Sequence, residues 1–311
     1  MQNFLIVAQQ VGILFALISI GAICRWTKLI GPFSVRGIVN VLIWLVTPCL
    51  IIDVFQRPFN SAALTQLALA FLIVIALHLT LIALTYLTVR TKDERTAPVL
   101  RLSIVFSNAG FMGIPLEQAV FGDEGVFFGI VYVATFNLVI WSWGLMTARG
   151  KSAAPHAFTQ AFINPGTIGL ALGLAFFLAS LRLPAVLSTP VHMLSELNTP
   201  LAMLVIGYYL AGAHLKALAT NHAAHLAAAL RLLLAPLLLT AALFPFRAFL
   251  NHTMMLSLVT AASAPVAAMV TMFAAKFNRD VDLSVGMVSG TTLASIFTMP
   301  IVIAFAMSIL N

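Results

Sequence analysis

Arg101-Leu102-Ser103-Ile104-Val105-Phe106-Ser107-Asn108-Ala109-Gly110-Phe111-Met112-Gly113-Ile114-Pro115-Leu116 is apolar enough to lie in a membrane, yet Asn108, Gly110, Gly113 and Pro115 fall within eight residues of one another. Pro115 has no N–H to give to a helical ladder, and its ring clashes with the carbonyl four residues back. Gly110 and Gly113 lower the resistance to unwinding. In lipid, a freed backbone group costs several kcal/mol unless it is buried in protein or lines a wet cavity. A helix broken here, at mid-membrane, is a candidate binding site. The positive end of its second half can face an anion.

Composition sets the class. Of 311 residues, 61% are hydrophobic and 8% charged, and the mean hydropathy is +1.06. No soluble domain of this length needs so much apolar surface, which makes the chain a polytopic membrane protein. The net charge of +7 does not point to nucleic acid, because the charges sit in short loops between apolar runs. Cys24 and Cys49 offer neither a disulfide framework nor metal spacing, and His222 and His225 have no third ligand nearby in sequence. The first residues carry no basic n-region and no small-residue cleavage site, so they read as the first span.

Ten apolar runs have the length of a span: 4–23, 35–56, 62–89, 97–120, 125–148, 159–181, 187–212, 225–246, 253–277 and 283–308. With the N-terminus outside, twelve Lys and Arg fall in inner loops and three in outer loops, while Arg231 lies within the eighth span near its inner end and reads as snorkelling to the interface. Both termini are then extracytoplasmic, in the inner (cytoplasmic) membrane. The halves repeat. Pro48 and Pro200 are 152 residues apart, as are Gly21 and Gly173, and Pro115 and Pro265 are 150 apart. Five spans per half is an odd number, so the second half enters from the opposite side, giving an inverted repeat of 1–150 and 151–311. In the ninth span, Ser263-Ala264-Pro265 follows a run of small residues that permits close backbone approach. Paired interrupted helices in corresponding places are the best pointer to a transporter's binding site.

With those two spans read, the chain resembles bacterial members of the auxin efflux carrier family, relatives of the plant PIN-formed carriers. The stretch Asn108 to Leu116 is similar to the family's Asn-x-x-x-Met-Gly-Ile-Pro-Leu, and Phe121-Gly122-Asp123-Glu124-Gly125 to its continuation. Pro265 through Phe273-Ala274-Ala275-Lys276-Phe277-Asn278, Asn164-Pro165 and Ser295 with Pro300 also fit. The resemblance implies an all-α fold of ten helices in which spans four and nine cross at Pro115 and Pro265. It implies a scaffold of spans one, two, six and seven, and a mobile crossover domain of spans three to five and eight to ten. It puts Asn108 on the asparagine that contacts substrate carboxylate in the plant carriers. Malonate, malate and similar anions are associated with bacterial relatives. The chain lacks the plant carriers' long central loop and has Ala109 and Gly110 where they carry larger residues, which argues against auxin itself. A homodimer is reasonable on the same resemblance.

Candidate substrate contacts are Asn108, Ser107, Gly110, Ser263 and Asn137. Asn108 can donate and accept without a buried permanent charge, and equally can cap the second half-helix. Ser107 and Ser263 read as well for interhelical packing, and Asn137 for packing as for cavity lining. The crossover residues are Gly113, Pro115, Ala264 and Pro265. Glu117 and Glu196 are expected within the membrane, and Asp53 near the outer end of span two. Such acids are candidate proton carriers, or simply solvated if they lie nearer the interface. His78 and His192 read as bonding neighbouring helices. No phosphate loop or nucleophile elbow is present, so the chain reads as no enzyme and needs no cofactor. The reading is a secondary transporter of small organic anions by an elevator-type alternation. A sodium- or proton-coupled carrier of the bile-acid symporter type and a non-transporting membrane receptor are its rivals.

Overall fold

The chain is all helix and connector across the residues that the computed structural model describes, 2–150, 165–212 and 221–310. Lys151, His156, Asn164, His214 and Lys216 lie outside those residues, as does the start of the expected sixth span. The helices in order are α1 (Gln2–Trp26), α2 (Pro32–Phe55), α3 (Ser61–Thr88), α4 (Thr96–Val105) and α5 (Ala109–Arg149). There follow α6 (Pro165–Leu178), α7 (Ala185–Ser195), α8 (Asn198–Leu210) and α9 (His222–Phe246). The last are α10 (His252–Ser263), α11 (Met269–Lys276) and α12 (Val281–Leu310). Among the described residues six helices, α1, α2, α3, α5, α9 and α12, are long and apolar enough to cross a membrane.

Local chemistry sets the helix ends. Asn60, Asn221 and Asn251 each accept backbone N–H bonds at the start of α3, α9 and α10, the usual work of an N-cap amide. A straight rod of the 41 residues of α5 would be about 60 Å long, twice a hydrocarbon core. Gly122 divides it, with φ +64° and ψ −156°, a conformation open to glycine and costly to other residues.

Prolines widen helices here rather than break them. Wide π turns occupy Leu42–Val46, Ala109–Gly113 and Leu230–Leu234, each two residues before a proline, Pro48, Pro115 or Pro236. The carbonyl four residues back, which the ring would strike, lies inside the wide turn in every case. This corrects the expectation for Pro115. It sits within α5, and the break falls earlier, at Phe106, Ser107 and Asn108. Pro265, in contrast, lies in the break itself, between α10 and α11. The two prolines matched in sequence are therefore not matched in geometry.

Two apolar cores form. The smaller gathers Val11, Leu14 and Ile18 of α1, Leu42 and Val46 of α2, and Met203 of α8. The larger is built around α3, α4, α5, α9, α10 and α12. Met112, Leu116, Ala264, Met299 and Ile303 join the smaller core from the side of the breaks. Glycines allow the closest approaches. A Cβ on Gly207 would stand 1.9 Å from the Ile18 oxygen, and one on Gly21 2.3 Å from the Leu204 oxygen, so α1 and α8 touch backbone to backbone. A Cβ on Gly173 of α6 would lie 2.8 Å from Ile51 of α2.

Candidate functional site

Two short extended segments meet where the helices stop. Ser107 and Val266 form an isolated antiparallel bridge. The Asn108 N–H donates to the Pro265 oxygen at 2.7 Å, and the Ala267 N–H donates to the Phe106 oxygen at 3.0 Å. The Asn108 oxygen accepts from the N–H groups of Met112 and Gly113 and so starts the wide turn of α5. Backbone groups freed by the two breaks thus satisfy each other, as low dielectric requires. A Cβ on Gly113 would lie 3.4 Å from the Ala261 Cα, so a small residue there lets α5 approach α10.

The Val266 N–H donates to Thr291 Oγ1 at 3.0 Å, and that hydroxyl donates to the Met287 oxygen. Thr291 thereby ties the second break to α12. Replacing Thr291 with valine keeps the shape and leaves a buried N–H without an acceptor, a cost of about 1–3 kcal/mol. The expected result is a thermal midpoint lowered by several degrees. Thr292→Val, whose hydroxyl bonds only its own helix, should stay close to wild type. Equal midpoints for the two variants would exclude this role.

Arg231 was expected at the inner interface, and the structure corrects that. It is 0% exposed. Its guanidinium donates to the oxygens of Ile104 and Val105 at 3.1 and 3.0 Å, and to the oxygen of Ala262. One side chain therefore caps the carbonyl ends of both α4 and α10. Sequence reading found the residue and missed its place, because a lone arginine near a span's end fits snorkelling equally well.

The other candidates divide. Asn108 is 6% exposed, and its side chain makes no cap bond to the turn that it begins. Its amide is thus not committed to capping. Ser107 Oγ donates to Tyr132 Oη at 3.3 Å, Ser263 Oγ to the Thr260 oxygen, and Asn137 Nδ2 to the Val133 oxygen on its own helix. Gly110 faces Val133, 4.0 Å from where its Cβ would be, and Ala264 is extended at the end of α10. Glu117 is 0% exposed, and neither carboxyl oxygen has a hydrogen-bond partner among the described residues. Gly129 makes room for it, since a Cβ there would fall 1.6 Å from Glu117 Oε2.

Glu196 and Asp53 lie elsewhere. Glu196 falls between α7 and α8 with its side chain 67% exposed, not facing a buried cavity. Asp53 Oδ2 lies 2.8 Å from His192 Nδ1 and accepts from Ser195 Oγ at 2.9 Å, joining α2 to α7. Beside it, a cavity of about 540 Å³ is lined by Asp53, Arg57, Asn60 and Asp123. Arg57 stands over the Phe127 ring at 4.2 Å. Burial lowers its guanidinium pKa from the usual value, and the Asp123 and Glu124 carboxylates oppose that shift. None of the crossing residues lines this cavity.

The chain is similar to membrane transport proteins. The family model described as "Membrane transport protein" matches residues 6–160 and 153–303. An uncharacterized transporter of Methanothermobacter thermautotrophicus is 25% identical over 288 residues, which is 92% of this chain and 93% of that relative. With both halves of the sequence matched, the chain belongs to the membrane transport protein family, the family of the auxin efflux carriers.

Proposed function

We propose that the chain is a secondary transporter of small organic anions, mono- or dicarboxylates of the size of malonate or malate. The observation that carries this is the paired break, with an uncapped, nearly buried Asn108 amide beside two helix starts. Such ends attract a carboxylate through backbone N–H groups. Ser107 and Gly110 flank that amide. Ser263 and Asn137 use their side-chain donors on carbonyls of their own helices and belong to its surroundings.

The architecture we propose is two inverted five-helix repeats, 1–150 and 151–311. Gly21 of α1 abuts α8, and Gly173 of α6 abuts α2, which is the pairing that such a repeat calls for. The separate smaller core of α1, α2 and α8 supports a scaffold against which the crossing moves in an elevator-like cycle. The Lys and Arg bias supports an orientation with both termini outside the cytoplasmic membrane. Glu117, buried without a donor, is the proposed proton carrier. Asp53 is held by His192 and Ser195, and Glu196 is exposed, so neither shares that setting.

The test is flux of labelled malonate, malate and an aromatic carboxylate into liposomes. Wild type and Asn108→Ala are compared, with and without a pH gradient. The expected result is uptake of at least one anion in wild type and a loss of about tenfold or more in the variant, since an unmade charge-assisted bond is worth roughly 1.5–3 kcal/mol. Equal uptake by the two removes Asn108 from the site. No anion flux by folded wild type removes the transporter reading.

A further inference from the structure

Four helix ends meet at the crossing. α4 and α10 arrive with their carbonyl ends, while α5 and α11 leave with their N–H ends. Each end carries roughly half a unit charge, negative at carbonyls and positive at N–H groups. Two of each kind cancel. Arg231 adds a whole positive charge, and among the described residues no carboxylate lies within 4 Å of it to form an ion pair. Its partners are three carbonyl oxygens, Ile104 and Val105 on one side and Ala262 on the other. Val105 is three residues before Asn108, and Ala262 is three before Pro265. The cation therefore sits on the negative ends and leaves the positive ends unopposed.

A buried, unpaired guanidinium is costly, and a fold keeps one where its charge is used. Carbonyl capping alone needs no net charge. A serine or threonine hydroxyl can donate to one such oxygen, as Ser263 Oγ does to the Thr260 oxygen in the last turn of α10. Arginine's planar fork reaches two helices at once and cannot lose its proton.

We propose that Arg231 is the specificity-determining charge of the crossing. It cancels the carbonyl ends of α4 and α10, so that the field beside Asn108 selects anions and prefers a dianion to a monoanion of the same shape. Arg231 acts through the helix ends, as a positioning residue. The inference rests on the transport reading above.

Malonate and malonamate are near-isosteric and differ by one negative charge above the malonate pKa values. Half-saturation of liposome uptake is measured for both at one pH, so that Glu117 and His78 keep a single charge state. Wild type, Arg231→Lys and Arg231→Gln are compared, each checked for monodispersity. A cysteine pair, Ser107→Cys with Val266→Cys, reports by cross-linking whether the breaks still meet. The expected result is a preference for malonate in wild type that is kept in Arg231→Lys and shrinks by about tenfold in Arg231→Gln. A merely structural role lowers the rate for both compounds and leaves their ratio alone.

An unchanged ratio in cross-linkable Arg231→Gln overturns the inference. So does an Arg231→Lys that loses the ratio as Arg231→Gln does. If Arg231→Gln does not fold, Arg231→Lys decides: a kept ratio at reduced rate supports the charge role, and a lost ratio overturns it. If wild type moves malate but neither of these, malate and its monoamide are the pair compared; wild type that moves no anion overturns the transport reading itself, and the inference with it.

Discussion

Gly207→Val yields little folded protein. The added Cβ would stand 1.9 Å from the Ile18 oxygen and 2.9 Å from the Ala22 nitrogen, both of them backbone atoms. Overpacking among movable side chains costs about 1–3 kcal/mol. Here no side chain can yield, so α1 and α8 must part along their length and the smaller core opens with them. The expected size-exclusion profile of detergent extracts is a monodisperse peak reduced by about tenfold or more, since a further 1.4 kcal/mol is already a factor of ten. Gly12→Val on α1, the helix that Gly207 abuts, is the control, because nothing lies within 4 Å of its added Cβ. It should run and melt as wild type. A Gly207→Val protein that melts with wild type would mean that α1 and α8 do not touch there.

Glu117→Gln separates coupling from folding. The substitution keeps the shape of a side chain that is fully buried, with both oxygens lacking partners. If Glu117 carries the proton, the variant folds and still exchanges anion for anion, but stops responding to an imposed pH gradient. A gradient of about one pH unit is worth 1.36 kcal/mol, a tenfold accumulation per proton. The variant should lose about that tenfold, read as steady-state uptake with and without the gradient. Gly129→Ala, whose Cβ would fall on Glu117 Oε2, should displace the carboxyl and lose the same response. A full pH response in Glu117→Gln assigns the proton elsewhere.

The sequence carried the class of the fold and the neighbourhood of the helix break beside Asn108. An asparagine and clustered glycines in an apolar run signal a break, and the break is there, seven to nine residues before Pro115. Pro115 was given the wrong task. In water a proline's missing N–H usually ends a helix. Inside a bundle, a wide turn relieves the ring's clash and the helix continues through it. Sequence alone does not choose between these outcomes, because the choice depends on what packs around the turn.

Arg231 and Thr291 were illegible for a related reason. Each makes its decisive bonds to backbone groups distant in sequence, at Ala262 for one and Val266 for the other. Backbone acceptors and donors carry no residue-type signature. Glu196 erred in the other direction. Its place one turn before Thr199-Pro200 suggested a buried helical position, but α7 has already ended at Ser195.

In the elevator-like cycle proposed above, the seam between the two cores would set how fast the crossing travels. Met112, Leu116, Ala264, Met299 and Ile303 meet the smaller core there, and none of these side chains can donate a hydrogen bond. Two surfaces of this kind have no discrete set of bonds to break and remake as they slip. Thioethers bend to the changing relief, so resistance comes from shape alone and resembles the drag of a greased bearing more than the release of a latch.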